Sequence, residues 1–153
     1  MTEWYSLQQI DCNTVLVKDG KEIASVPVKA RWSDLICVNL TQHLATKEQE
    51  AEFVIEPLDK EAVKALLTFT EAPTQEEMED RAKALVQHAS INGSKAVMVG
   101  GAPYFMPTLV RVLKEAGLFV VCSFTERVSV EVQGEDGTVT KQSVFKHTGW
   151  VEC

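Results

Sequence analysis

The stretch "VMVGGAPYF", residues 97–105, decides the fold. A run rich in valine ends at two glycines and a proline. The residues that follow place Met106, Leu109, Val110 and Leu113 on one helical face, and Gly117 stops them. Strand, glycine turn and helix in that order make half of a βαβ unit. Glycine allows backbone torsions other residues avoid and lets a ligand approach closely. Amides before a helix start favour an anion, and Pro103 or Pro107 fits the first helical turn. The spacing matches neither G-x-G-x-x-G nor G-x-x-x-x-G-K-[ST], so it supports no dinucleotide or P-loop assignment. A tight packing turn accounts for the two glycines as well as phosphate binding does.

Outward from this turn the pattern repeats. Residues 35–40 and 118–124 are near-continuous apolar runs of strand length, as expected for strands covered on both faces. Between them, "TQEEMEDRAKALVQHAS" (74–90) is a helix with Met78, Ala82, Leu85, Val86 and Ala89 in one stripe. Thr74 is its N-cap, Glu77 completes a capping box, and Asn92-Gly93 ends it. Thr46-x-x-Gln49 is a second capping box, and Pro57-Leu58-Asp59 introduces a helix carrying Val63, Leu66 and Leu67. The expectation is β-α-β-α-β with parallel strands at 35–40, 95–99 and 118–124. That is a small Rossmann-like three-layer α/β domain with helices across both sheet faces.

Both chain ends read as antiparallel additions. Asp19-Gly20 between apolar runs is a hairpin signal, with Val15, Val17, Ile23 and Val26 inward and Lys18, Lys21 and Lys29 outward. "RVSVEVQ", "TVTKQSVF" and "TGWVEC" read as strands around a turn at Glu135-Asp136-Gly137. The 153 residues fit one domain, with residues 1–30 as the accessory hairpin and 35–153 as the core.

Composition narrows the partners. Net charge is −7, from 15 Lys+Arg against 22 Asp+Glu, which repels long nucleic acid but leaves a small anionic ligand open. No apolar run reaches the ~20 residues of a membrane span. The N-terminus lacks the basic and apolar regions of a signal peptide. The four cysteines are scattered, with no C-x-x-C pair, as for thiols in a cytoplasmic protein. No metal-ligand spacing occurs, and no cofactor is expected.

In an open α/β sheet, ligands bind beyond the carboxyl ends of the parallel strands. Those ends are "NLTQH", "VGGAPY" and "SFTER". They make Asn39, Thr41, Gln42, Gly100, Gly101, Ala102, Pro103, Tyr104, Ser123 and Thr125 candidate ligand-binding residues. Arg127 is the best cation for a phosphate, its planar fork matching two oxygens, and Glu131 shares its strand face. His43 ends the first strand and His147 sits in the tail beside Lys146; histidine titrates near neutral pH and can move protons. Spacing alone establishes no Ser–His–Asp or Cys–His relation.

With these residues assembled, "NLTQHLATKEQ", "VGGAPYF", "SFTERVSVE" and "DGTVTKQSVFKH" resemble the small CARF-like ring nucleases of type III CRISPR systems, and related uncharacterised phage or mobile-element proteins. The resemblance covers roughly residues 35–150. It implies a CARF-like fold and a homodimer or higher homo-oligomer. It also implies binding of a cyclic oligoadenylate and metal-independent cleavage by ribose 2′-hydroxyl attack. His43, Arg127 and His147 would be the catalytic groups, and Lys146 would join the ligand-binding set. The same pocket without chemistry would be a sponge or sensor of a nucleotide signal. One departure is the "GGAP" loop followed by an aromatic, where that group carries a more polar loop.

Overall fold

The computed structural model describes residues 5–10, 13–26, 36–90 and 93–153. Lys29, Leu35 and Asn92 lie outside them. The chain is a mixed α/β domain with two sheets. The N-terminal part is a three-stranded antiparallel sheet rather than a single hairpin: β1 (Tyr5–Ile10), β2 (Asn13–Lys18) and β3 (Lys21–Val26). The Asp19-Gly20 turn joins the last two, both residues at positive φ as a tight hairpin requires. Its buried residues are Tyr5, Thr14, Val15, Leu16 and Ala24, while Val17 is only half-buried. A register irregularity between Leu16 and Val17 breaks the simple alternation. Lys18, expected outward, pairs with Glu50 at 3.2 Å.

The main sheet has five strands. β4 (Cys37–Leu40) is followed by α1 (Lys47–Ala51), β5 (Val54–Ile55), α2 (Lys60–Leu67) and α3 (Gln75–Ala89). β6 (Ala96–Val99), α4 (Met106–Glu115), β7 (Phe119–Gln133) and β8 (Val139–Glu152) complete the chain. The strand order is β5-β4-β6-β7-β8, parallel except for the antiparallel β7–β8 pair. The short edge strand β5 had no sequence signal of its own, since two residues carry no period.

Strand alternation sends Val38, Leu40, Val97, Val99 and Val120 to one face. Val63 and Leu67 of α2, Ala82, Leu85 and Ala89 of α3, and Leu109, Val112 and Leu113 of α4 pack there. All three longer helices therefore serve one core, and the expected three-layer arrangement does not form among the described residues. Among the described residues, the buried apolar cluster on the opposite face is small: Cys37, Val54, Met98 and Val121, with Ala45, Ala96 and Trp150 beside them. That thinly covered face is where a cleft opens.

The capping box of α1 is complete: the Gln49 N–H donates to Thr46 Oγ1 at 3.2 Å and the Thr46 N–H to Gln49 Oε1 at 2.9 Å. In α3, Thr74 caps the Glu77 N–H at 3.1 Å, but the Glu77 carboxylate turns to Arg81 at 2.9 Å. An i,i+4 ion pair has displaced the second half of that box. The C-terminal strands form one long hairpin. β7 runs unbroken for 15 residues and β8 for 14, and beyond Thr125 almost every residue is exposed. The apolar run at 118–124 is covered only in part, because Phe119 and Phe124 are exposed.

Candidate functional site

The carboxyl ends of β4 and β6 and the middle of β7 converge on one cleft of about 410 Å³, within the range of small-molecule sites. Its lining brings together eight of the residues expected from sequence: Thr41, Gln42, His43, Gly100, Gly101, Ser123, Thr125 and His147. Leu44, Thr46, Gln49, Met98, Val99 and Phe145 complete it.

The β4 wall is held from beneath by a buried polar knot. Asn39 is 0% exposed, so it does not face the cleft. Its Oδ1 accepts from the Thr41 N–H at 3.0 Å and the Thr41 hydroxyl at 2.7 Å, and its Nδ2 donates to the His43 carbonyl at 2.8 Å. The same Nδ2 lies 3.0 and 3.1 Å from the Glu56 carboxylate oxygens. Glu56 also accepts from the Ala45 N–H at 2.8 Å and pairs with Lys60 at 2.9 Å. Lys60 donates on to the carbonyls of Thr41 and His43 at 2.7 and 2.8 Å. The Glu56 N–H reaches Tyr5 Oη at 3.3 Å, and burial raises the Tyr5 pKa above its ordinary value, keeping the phenol neutral. The knot fixes the backbone of residues 41–45, from which the exposed His43 extends.

On the β6 wall, Gly100 and Gly101 present backbone. Gly101 has φ +155, and a Cβ there would meet Met106 Cε at 3.3 Å, so glycine is needed. The rest of this turn leaves the cleft. Ala102 packs against the main core and accepts from the N–H groups of Phe105 and Met106, at 3.0 and 3.2 Å, before α4 begins. Pro103 is exposed outside the lining, and Pro107 occupies the first helical turn. Tyr104 faces a different hollow and meets Phe69 edge-on at 5.6 Å. The helix start is thus set back from the glycines by a full turn.

The β7–β8 wall carries the strongest geometry. Ser123 Oγ lies 2.5 Å from His147 Nδ1, and His147 Nε2 lies 3.2 Å from Glu52 Oε1. Trp150 Nε1 donates to Glu52 Oε2, and its ring meets the His147 ring edge-on at 4.5 Å. The His147 side chain is 1% exposed, whereas Phe145 is 73% exposed at the cleft rim. Glu52 sits at the C-cap of α1, followed by Phe53 in the left-handed region at φ 68, which turns the chain sharply into β5.

The remaining candidates lie along the hairpin. Arg127 is exposed, outside the lining, and paired in register with the cleft residue Phe145 on the same strand face. Glu131 is on that face but about 20 Å beyond Thr125 at strand rise. Lys146 lies between Phe145 and His147, so alternation turns it to the opposite face, where it is paired with Glu126. Glu52, Glu56, Lys60 and Phe145 were not anticipated. Among the described residues no group of three His, Cys, Asp or Glu could hold a metal ion, and no helix is long and apolar enough to cross a membrane.

Neither the curated proteins nor the solved structures contain a match to this chain. A family model does match, over residues 36–151, the span that holds the main sheet and every wall of the cleft, and the chain accordingly belongs to the Uncharacterized protein MJ1673 family.

Proposed function

We propose that the cleft binds a small cyclic oligonucleotide, with cyclic oligoadenylate the favoured ligand. We propose further that the protein cleaves it by ribose 2′-hydroxyl attack on the adjacent phosphate, without a metal. The observation that carries this reading is the convergence of the ends of β4 and β6 and the middle of β7 on one cleft whose rim bears Phe145, 73% exposed, beside polar groups and two histidines. An exposed ring beside hydrogen-bonding groups is how proteins stack a base. Arg127, opposite Phe145 in register, is placed to meet a phosphate beyond the base. In-line attack needs positioning and charge stabilisation more than a strong nucleophile. His43 faces the cleft, and His147, buried, acts through the Ser123 hydroxyl that lines it.

A cleft of about 410 Å³ suits one drug-sized ligand; a ring of several nucleotides needs a second copy's cleft beside it. The reading therefore includes a homodimer. An apolar stripe on the β7–β8 arm supports it: Phe124, Val130, Val132 and Val144 are exposed on the ribbon face opposite Arg127. The fold is then a CARF-like variant of the Rossmann type in a cytoplasmic protein.

The test is incubation with a panel of cyclic oligonucleotides, followed by chromatography with and without denaturation. Linear products bear out cleavage. Intact ligand released only after denaturation makes the protein a sponge or sensor, and no depletion of any ligand removes the nucleotide reading.

A further inference from the structure

Glu52, His147 and Ser123 form a continuous hydrogen-bonded chain that ends in the cleft, and nothing in the nucleotide reading requires it to be complete. We infer that Ser123 is an activated nucleophile, able to attack small carboxylic esters that enter the cleft. This inference does not rest on the ligand being a nucleotide.

The argument begins with the buried imidazole. Its Nε2 faces the Glu52 carboxylate at 3.2 Å, and a carboxylate only accepts, so Nε2 carries the proton. Nδ1 is left with a lone pair, and Ser123 Oγ lies 2.5 Å from it, the arrangement of a hydroxyl donating to a base. Trp150 holds the far oxygen of Glu52 and its ring packs on the imidazole, so the base is oriented twice over. The His147 side chain is 1% exposed, and the residue meets the cleft beside Ser123. Ser123 lines the cleft together with Gly100 and Gly101 and is the member of the chain with a nucleophilic oxygen to offer there. Leu44, Met98 and Phe145 give the acyl or alkyl part of an ester an apolar surface. The roles match a serine–histidine–carboxylate triad, with the two imidazole nitrogens exchanged relative to the serine proteases.

The step balances with water as the only co-reactant. Ser123 Oγ bonds to the carbonyl carbon as its proton passes to His147 Nδ1. The carbon–alkoxy bond breaks, and the leaving oxygen takes that proton. Water then attacks the acyl-serine with His147 again the base, releasing the acid and restoring the hydroxyl.

A fluorophosphonate probe, read by peptide mass spectrometry, tests this directly. The expected adduct is on Ser123, absent in Ser123→Ala and formed about 100-fold or more slowly in His147→Gln. Ser129→Ala, on the same strand face but outside the cleft, should label as the unmodified chain does. Hydrolysis of p-nitrophenyl acetate should fall in the same order, with circular dichroism reporting that each variant is folded. No adduct on Ser123 in the unmodified chain overturns the inference. So does labelling of Ser123 at an unchanged rate in folded His147→Gln. Because the probe is not a nucleotide, failure here leaves the cyclic oligonucleotide assay to be decided on its own result.

Discussion

Replacing Glu56 by alanine should destabilise the protein more than any other single change at the cleft, although no ligand would touch it. The Glu56 side chain is 5% exposed and receives the Lys60 ammonium at 2.9 Å, the Ala45 N–H at 2.8 Å and the Asn39 amide at 3.0 and 3.1 Å. Removing the carboxylate has unequal effects on these donors. Asn39 keeps the His43 carbonyl and Lys60 keeps two carbonyls, but the Ala45 N–H loses the acceptor described for it. An orphaned part-buried donor costs about 1–3 kcal/mol. Lys60, 13% exposed, is left without its counter-charge; breaking a buried pair from one side costs about 3–5 kcal/mol in all. At about 2–4 °C per kcal/mol for a domain of this size, the melting temperature should fall by about 6–20 °C. Differential scanning calorimetry measures it.

The double variant Glu56→Ala, Lys60→Met separates the pair from packing. Removing both charges should recover part of the loss, giving a coupling energy of about 1 kcal/mol or more. A loss under about 1 kcal/mol for Glu56→Ala, or strict additivity in the double variant, would refute the claim that this knot holds the cleft wall.

Other consequences can be checked separately. Arg127→Ala should weaken nucleotide binding by about 1.5–3 kcal/mol, and Phe145→Ala by about 1–3 kcal/mol, in titration calorimetry; unchanged affinity in either variant removes that residue from the site. Gly100→Ala should shift the urea midpoint little, because a Cβ there meets only Thr41 Cγ2 at 3.6 Å. Gly101→Ala should cost about 1–2 kcal/mol through its strained backbone; the reverse ranking would contradict the turn geometry. The Cys122 and Cys153 sulfurs lie 2.8 Å apart, so a strong oxidant should join them, seen as a two-dalton mass loss. Burial, the largest cause, and the neighbouring thiol push the Cys122 pKa up to about 12. The thiolate that reacts is therefore scarce at pH 7 and grows about tenfold per pH unit, so crosslinking that slows from pH 7 to pH 9 would speak against this pairing.

What the sequence disclosed, and what it hid, follows from where each signal resides. The core strands and the three longer helices were legible because their apolar periods are local: Leu85 and Leu113 fall where a helix of 3.6 residues per turn must bury them. Which face those helices share is a tertiary matter, and local pattern could not show that all three pack on one side. The polar knot was invisible for the same reason. Glu56 and Lys60 stand in "IEPLDKE" as an ordinary acidic lead-in to a helix, and only burial against Asn39 gives them a role. The cleft residues at strand ends were found because sheet topology fixes where ligands go. Glycine and tyrosine in "GGAPY" were grouped together, yet the chain turns through a full loop between them and separates Gly100 from Tyr104.

The pairing of Ser123 with His147 marks the boundary most sharply. From Trp150, which shares the cleft face with Ser123, strict alternation along β8 would put Thr148 on that face and turn His147 away. The ladder instead steps from Phe124–Gly149 to Thr125–His147, leaving Thr148 as an extra residue. One bulged residue reverses the facing of everything beyond it. It brings His147 onto Ser123, sends Lys146 to the far side and sets Phe145 beside the cleft, opposite Arg127. A period-two reading of "SVFKHTGW" therefore gives the wrong partner set however carefully it is done, because the bulge is a property of the β7–β8 pair. Candidate residues can be gathered from strand ends by topology, but what joins Ser123 to His147, and through it to the unanticipated Glu52, depends on a single irregular rung.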